Sequence, residues 1–158
     1  MIRKCFFQAI VLMILGTATG FLYNWLSPDG IPVFAAENKT VAGFRMMTTE
    51  ETQLYIQEGR KVLLVDARSP EEFMLGHIPG AINIPEGQVN EYFKKYEKQI
   101  RQAQLLIIYC SGGSCGTSEE VARELIARGI PDSMVAVDQD GLPGWIRSKK
   151  PIETGAQK

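Results

Sequence analysis

Three short runs of this chain are apolar without a break: Val62-Leu63-Leu64-Val65, Leu105-Leu106-Ile107-Ile108-Tyr109 and Met134-Val135-Ala136-Val137. A strand with one wet face alternates apolar and polar residues, whereas an unbroken apolar run needs cover on both faces. That requirement points to parallel strands sandwiched between helices. Helical patterns fill the intervals. Thr49 to Glu58 runs up to Gly59, a suitable C-terminal stop, and Ser69 with Pro70 makes a helix start. Val89, Phe93, Tyr96 and Ile100 recur at spacings of four, three and four and so share one helical face. Val121, Leu125 and Ile126 do the same before Gly129. Strands alternating with helices predict an α/β domain over residues 44–154, with a short tail at 155–158.

The N-terminal end has a different character. From Cys5 to Pro28 there is no charged residue, and the stretch from Phe6 to Leu26 is mostly apolar. As a helix it would extend roughly 30 Å, the thickness of a bilayer's hydrocarbon core. Residues 1–26 are therefore expected to be a signal-anchor, one transmembrane helix in the cell (inner) membrane. Arg3 and Lys4 precede it, which by the positive-inside rule leaves the N-terminus in the cytoplasm and the domain in the periplasm or exterior. The alternative is a signal peptide, cleaved near Ala18 or Ala35 to give a secreted protein. An h-region of about 7–15 residues would be the norm for that reading, and this one is longer. Residues 27–43, with Pro28, Gly30 and Pro32, read as a linker.

Composition closes several other routes. With 17 basic and 18 acidic residues the net charge is −1, so the basic excess of a nucleic-acid binder is missing. Three Cys do not make a disulfide scaffold, and one His with no paired Cys-x-x-Cys leaves no metal site. What stands out is the segment Tyr109-Cys110-Ser111-Gly112-Gly113-Ser114-Cys115-Gly116-Thr117-Ser118, placed between a strand and a helix. In open α/β sheets ligands bind beyond the carboxyl ends of the strands. Glycines allow backbone N–H groups to curl toward one centre, and the following helix N-terminus adds positive potential. A Cys110 thiol held there is expected to have a lowered pKa and to act as a nucleophile. The plainer alternative is a small buried hydrophobe ending a strand.

From about Thr48 to Thr154 the chain resembles a single rhodanese domain. Val65-Asp66-Ala67-Arg68-Ser69-Pro70-Glu71-Glu72-Phe73 resembles that family's first motif. The stretch from Gly76 to Pro85 (GHIPGAINIP) resembles its most recognisable one, Tyr109-Cys110 opens its active-site loop, and Gly141-Leu142-Pro143-Gly144-Trp145 resembles its C-terminal motif. The resemblance implies a three-layer fold with a central parallel sheet of about five strands and helices on both sides. It also implies sulfurtransferase activity, in which Cys110 accepts sulfane sulfur as a persulfide from a small donor (thiosulfate or a persulfide) and passes it to a thiol or other nucleophile. No cofactor is implied. In many single-domain members the loop reads Cys-x-x-Gly-x-Arg-Ser. Here Cys115 stands at the Arg position and the matching Ser is Ser118, so the loop is longer and carries no Lys or Arg. Binding of donor or persulfide then falls to Ser111, Gly112, Gly113, Ser114, Gly116, Thr117 and Ser118. Phosphatase or arsenate-reductase chemistry is disfavoured, because its oxyanion clamp is an Arg.

The remaining candidates are assigned as follows. Asp66 and Arg68 are candidates for the border of the site, with Arg68 expected to pair with Glu71 or Glu72. His77 is expected to shape a turn, and Trp145 to pack in the core. Cys115 lies five residues after Cys110, within the reach of a curled disulfide loop. It is the candidate resolving or redox partner, which opens a second reading as a thiol–disulfide oxidoreductase or redox sensor with a membrane or periplasmic partner. A non-catalytic binding module is the third. The leading expectation is a membrane-anchored, exported sulfurtransferase working through Cys110.

Overall fold

The computed structural model describes residues 2–26, 40–41, 43–113 and 116–156. The chain divides into two compact units, Met1–Glu37 and Asn38–Lys158.

In the first unit, helix α1 runs from Ile2 to Leu26. Phe6, Phe7, Leu12, Met13, Ile14 and Leu15 are exposed. The hydroxyls of Thr17 and Thr19 donate back to the carbonyls of Met13 and Leu15, which satisfies them within the helix. Among the described residues no helix is long and apolar enough to cross a membrane, so the structure does not show the expected transmembrane helix. Apolar side chains predominate in α1 up to Leu15 and recur at Leu22 and Leu26. Gly16, Thr17, Ala18, Thr19 and Gly20 lie between, and such small residues contribute little apolar area.

The second unit is built in the order β1 (Thr40–Val41), β2 (Phe44–Met47), α2 (Thr49–Gln57), β3 (Val62–Asp66), α3 (Pro70–Leu75), β4 (Ile82–Asn83), α4 (Val89–Gln102), β5 (Leu105–Tyr109), α5 (Thr117–Ala127), a 3-10 turn at Asp132–Met134, β6 (Val135–Asp138) and α6 (Gly141–Arg147). The sheet order is β1-β2-β6-β5-β3-β4. Five strands are parallel, as expected, and β1 adds an antiparallel edge from within residues 27–43.

Alternation along the central strands produces two cores. Val65, Leu106, Ile108, Val135 and Val137 face one way and meet Phe93, Tyr96 and Ile100 of α4 and Val121, Ala122 and Leu125 of α5. Leu64, Ile107, Tyr109 and Ala136 face the other way and meet Phe73 of α3 and Leu142 and Trp145 of α6. This two-sided cover is what the unbroken apolar runs require. Burying one such aliphatic side chain is worth about 1.5–3 kcal/mol. Two capping boxes start helices at the site end of the sheet: Thr48 with Glu51 for α2, and Ser69 with Glu72 for α3. Each satisfies amides that helix geometry leaves without partners. Strands β2 and β4 escaped the sequence pattern for separate reasons. Arg45 interrupts the first, reaching out to Tyr55, and the second is two residues long.

Candidate active site

The carboxyl ends of the parallel strands carry a row of polar residues. Asn83 pairs in register with Asp66, Asp66 with Tyr109, and Tyr109 with Asp138. All four are buried, so each must find partners within the protein. Cys110 follows directly after this row.

Asp66 is sealed from solvent and holds Arg68 through two oxygens, with Arg68 Nε 3.0 Å from Oδ1 and Nη2 2.5 Å from Oδ2. The backbone N–H of Arg68 donates to the same carboxylate, and Nη2 also reaches the carbonyl of Gly76 at 2.7 Å. Burial works to lower the Arg68 pKa, but its hydrogen bond and attraction to Asp66 outweigh this and the net shift is upward. The expected partner of Arg68 was Glu71 or Glu72. Asp66 takes that place because the bidentate fork forms within one strand end and leaves no buried charge unpaired. Asn83 ties the same corner, donating to the carbonyls of Asp66 and Arg68. The Tyr109 hydroxyl accepts from the N–H of Ile78 at 3.1 Å. Burial first, and the Asp66 charge second, push its pKa well above the usual phenol value.

Asp138 closes the other side. Its carboxylate accepts from the hydroxyls of Thr49 and Thr52 at 3.1 and 3.0 Å, and from the N–H groups of Asp140 and Gly141 at 3.0 and 3.2 Å. Burial raises its pKa, opposed by these donors, Thr52 foremost. The turn it organises then grips the nucleophile candidate, since the N–H of Leu142 donates to the Cys110 carbonyl at 3.0 Å. Two glycines permit that close approach. Gly141 has φ +59°, and a side chain there would run into the Cys110 carbonyl and the Gly112 amide. Gly112 has φ +81°, and a side chain there would strike the Asp140 carbonyl.

Cys110 itself is buried, with 2% exposure. The Ser118 hydroxyl donates to its sulfur at 3.5 Å. Helix α5 begins at Thr117, one residue before Ser118, with Gly116 at its cap. Placing the hydroxyl in the first turn points it back at the end of β5. A cavity of about 370 Å³ adjoins the loop, bounded among others by Arg68, Glu71, Glu72, Glu86, Ser111 and Thr117. Gly112, Gly113, Asp140 and Arg147 border a second depression on the other side of the loop.

The structure thus brings Cys110 and Ser118 into contact and sets Ser111, Thr117 and Arg68 around one cavity, with Asp66 behind Arg68. Gly112 and Gly113 line the second depression, and Gly116 caps the helix. Ser114 and Cys115 lie outside the described residues, and the proposed Cys110–Cys115 pairing lies there with them. His77 is elsewhere: its ring stacks on Phe73, and Nδ1 lies 2.8 Å from the Phe73 carbonyl. Trp145 is buried and donates to the carbonyl of Pro151. Asp138 was missed by sequence reasoning. An aspartate closing an otherwise apolar strand was the signal available, since a charge there needs several donors. Among the described residues no group of three or more His, Cys, Asp or Glu side chains is arranged to hold a metal ion.

Comparison with known proteins addresses the family and the fold. An HTH-type transcriptional regulator of Mycobacterium tuberculosis is 33% identical over 100 residues, covering 63% of this chain and 41% of that protein. The thiosulfate:glutathione sulfurtransferase of Saccharomyces cerevisiae is 31% identical over 91 residues, covering 51% of this chain and 66% of that one. The chain therefore spans less than two thirds of the length of these curated relatives. Among solved structures, a rhodanese-like domain protein from Staphylococcus aureus superposes with a TM-score of 0.55 at 28% identity, covering 70% of this chain and 98% of that one. The Rhodanese-like domain family matches residues 48–148, the segment that carries the capped helices, the polar row and the Cys110 loop, and the chain belongs to that family.

Proposed function

We propose that this protein is a sulfurtransferase in which Cys110 carries sulfane sulfur as a persulfide. The observation that supports this most directly is the position of Cys110 at the carboxyl end of β5, with the Ser118 hydroxyl donating to its sulfur. The Cys110 thiolate attacks the outer sulfur of a donor, the donor's S–S bond breaks, and the electron pair leaves with sulfite or a thiolate. The new terminal sulfur carries the negative charge. An acceptor thiolate then attacks that sulfur, leaving an acceptor persulfide and regenerating the Cys110 thiolate. The two steps balance without an external oxidant or reductant. A thiol acceptor is in keeping with the yeast relative, a thiosulfate:glutathione sulfurtransferase.

The test is to incubate the full chain with sulfane donors and follow intact mass. One added sulfur on the wild type, lost again on addition of a thiol and never seen with Cys110→Ser, is the expected result. A reactive Cys110 that takes up no sulfur from any donor overturns the reading.

Attachment to a membrane, with the domain exported, is part of the same proposal. It is supported by the exposed apolar side chains of α1, the absence of charge from Cys5 to Pro28, and the basic pair Arg3 and Lys4. In spheroplasts the domain is expected to be digested by added protease. Recovery of intact protein in the soluble cytoplasmic fraction would overturn this part alone.

A further inference from the structure

The charges around the cavity next to Cys110 are lopsided. Arg68 is the cation on its wall, and its guanidinium is taken by the buried carboxylate of Asp66. Glu71, Glu72 and Glu86 stand on the same wall, and among the described residues that line it there is no second cation to face them. The two hydroxyls that flank the nucleophile, and that would otherwise serve an anion, are turned toward these carboxylates. Ser111 Oγ donates to Glu72 Oε1 at 3.4 Å, and Thr117 Oγ1 donates to Glu86 Oε2 at 3.1 Å. The first turn of α5 adds Glu119 and Glu120, which engage Arg123. On the other side of the loop Asp140 and Arg147 offset each other.

We infer that Glu72 and Glu86 set donor specificity, turning the Cys110 site away from small dianions and toward sulfane donors that carry a cationic group beside the reacting sulfur. The inference rests on the sulfurtransferase reading and names the substrate class for it. A dianion approaching Cys110 meets repulsion from each carboxylate, whereas an ammonium group on the donor meets attraction from both. In a water-exposed mouth each carboxylate changes the approach of a dianion by roughly several-fold before salt screening. A cavity of this size accommodates an aminoalkyl chain beside the loop.

The experiment measures single-turnover formation of the Cys110 persulfide with two donors, thiosulfate and cysteamine persulfide. Attack on the first releases sulfite and attack on the second releases the cysteamine thiolate. The variant is Glu72→Gln combined with Glu86→Gln. Glutamine preserves the capping box at Ser69, and thermal melting checks that the fold is kept. In the wild type the thiosulfate rate constant is expected to rise with ionic strength. In the double variant the ratio of the thiosulfate to the cysteamine persulfide rate constant is expected to increase about tenfold, and the salt effect to flatten. A ratio that moves less than twofold, or a thiosulfate rate that falls with salt, overturns the inference while leaving the persulfide reading in place. No persulfide from either donor overturns both.

Discussion

Two aspartates end the strands on either side of β5, Asp66 on β3 and Asp138 on β6, and both are shut away from water. They are held by opposite means. Asp66 faces a full positive charge in a two-pronged pair with Arg68. Asp138 faces neutral donors, two threonine hydroxyls and two backbone amides. A guanidinium offsets the cost of burying a carboxylate by direct attraction. Neutral dipoles do so only in part, and burial accordingly lifts the pKa of Asp138. The ion pair, with Asn83 and the Gly76 carbonyl, anchors the corner after β3. The hydrogen-bonded aspartate instead organises the turn that touches Cys110, through the Leu142 N–H.

Replacing each aspartate by asparagine breaks or sharpens that contrast. Asp66→Asn leaves a buried guanidinium without its counter-charge, and a loss of about 3–5 kcal/mol in denaturant unfolding is expected. A loss under 1 kcal/mol would show that Arg68 finds another partner and that the pair is not what holds the corner. Asp138→Asn removes a charge that the fold already disfavours, so its expected cost is smaller, about 1 kcal/mol. An effect as large as that of Asp66→Asn would erase the distinction between the two sites. The smallest expected effect is in the pH dependence. Because the folded pKa of Asp138 is raised, the folded state binds its proton more readily than the unfolded chain. The stability this contributes is present below the ordinary carboxylate pKa and is lost as pH rises through the raised one. The stability gap between wild type and Asp138→Asn should therefore narrow with rising pH across that interval. Urea titrations at several pH values check the sign, and a gap that widens would be inconsistent with the raised pKa.

These two corners also differ in how legible they were. Asp66 and Arg68 sit two residues apart within a recognisable motif, so their involvement was visible, but their mutual pairing was not. Sequence spacing puts Arg68 equally near Glu71 and Glu72, and only the turn after β3 chooses among the three. Asp138 draws its two hydroxyl donors from α2, which begins some ninety residues earlier in the chain, and no local pattern announces a contact of that range. The α4 face is the opposite case. Val89, Phe93, Tyr96 and Ile100 were placed on one stripe by periodicity, and those four are the buried residues of that helix. For α1, length and lack of charge suggested a span, which no helix among the described residues is long and apolar enough to show.

What the sequence determined alone are the features governed by near neighbours: unbroken apolar runs that demand cover on two faces, capping residues three positions from their partners, and a glycine-rich turn after a strand bearing Cys110. These follow from backbone geometry and desolvation within a few residues. Tertiary structure decided which charges meet, what surrounds the Cys110 sulfur, and that Glu72 and Glu86 come to opposite ends of one loop. Electrostatic and hydrogen-bond partners depend on distance in space, and packing two layers of helices against a sheet sets those distances in ways that chain separation does not record.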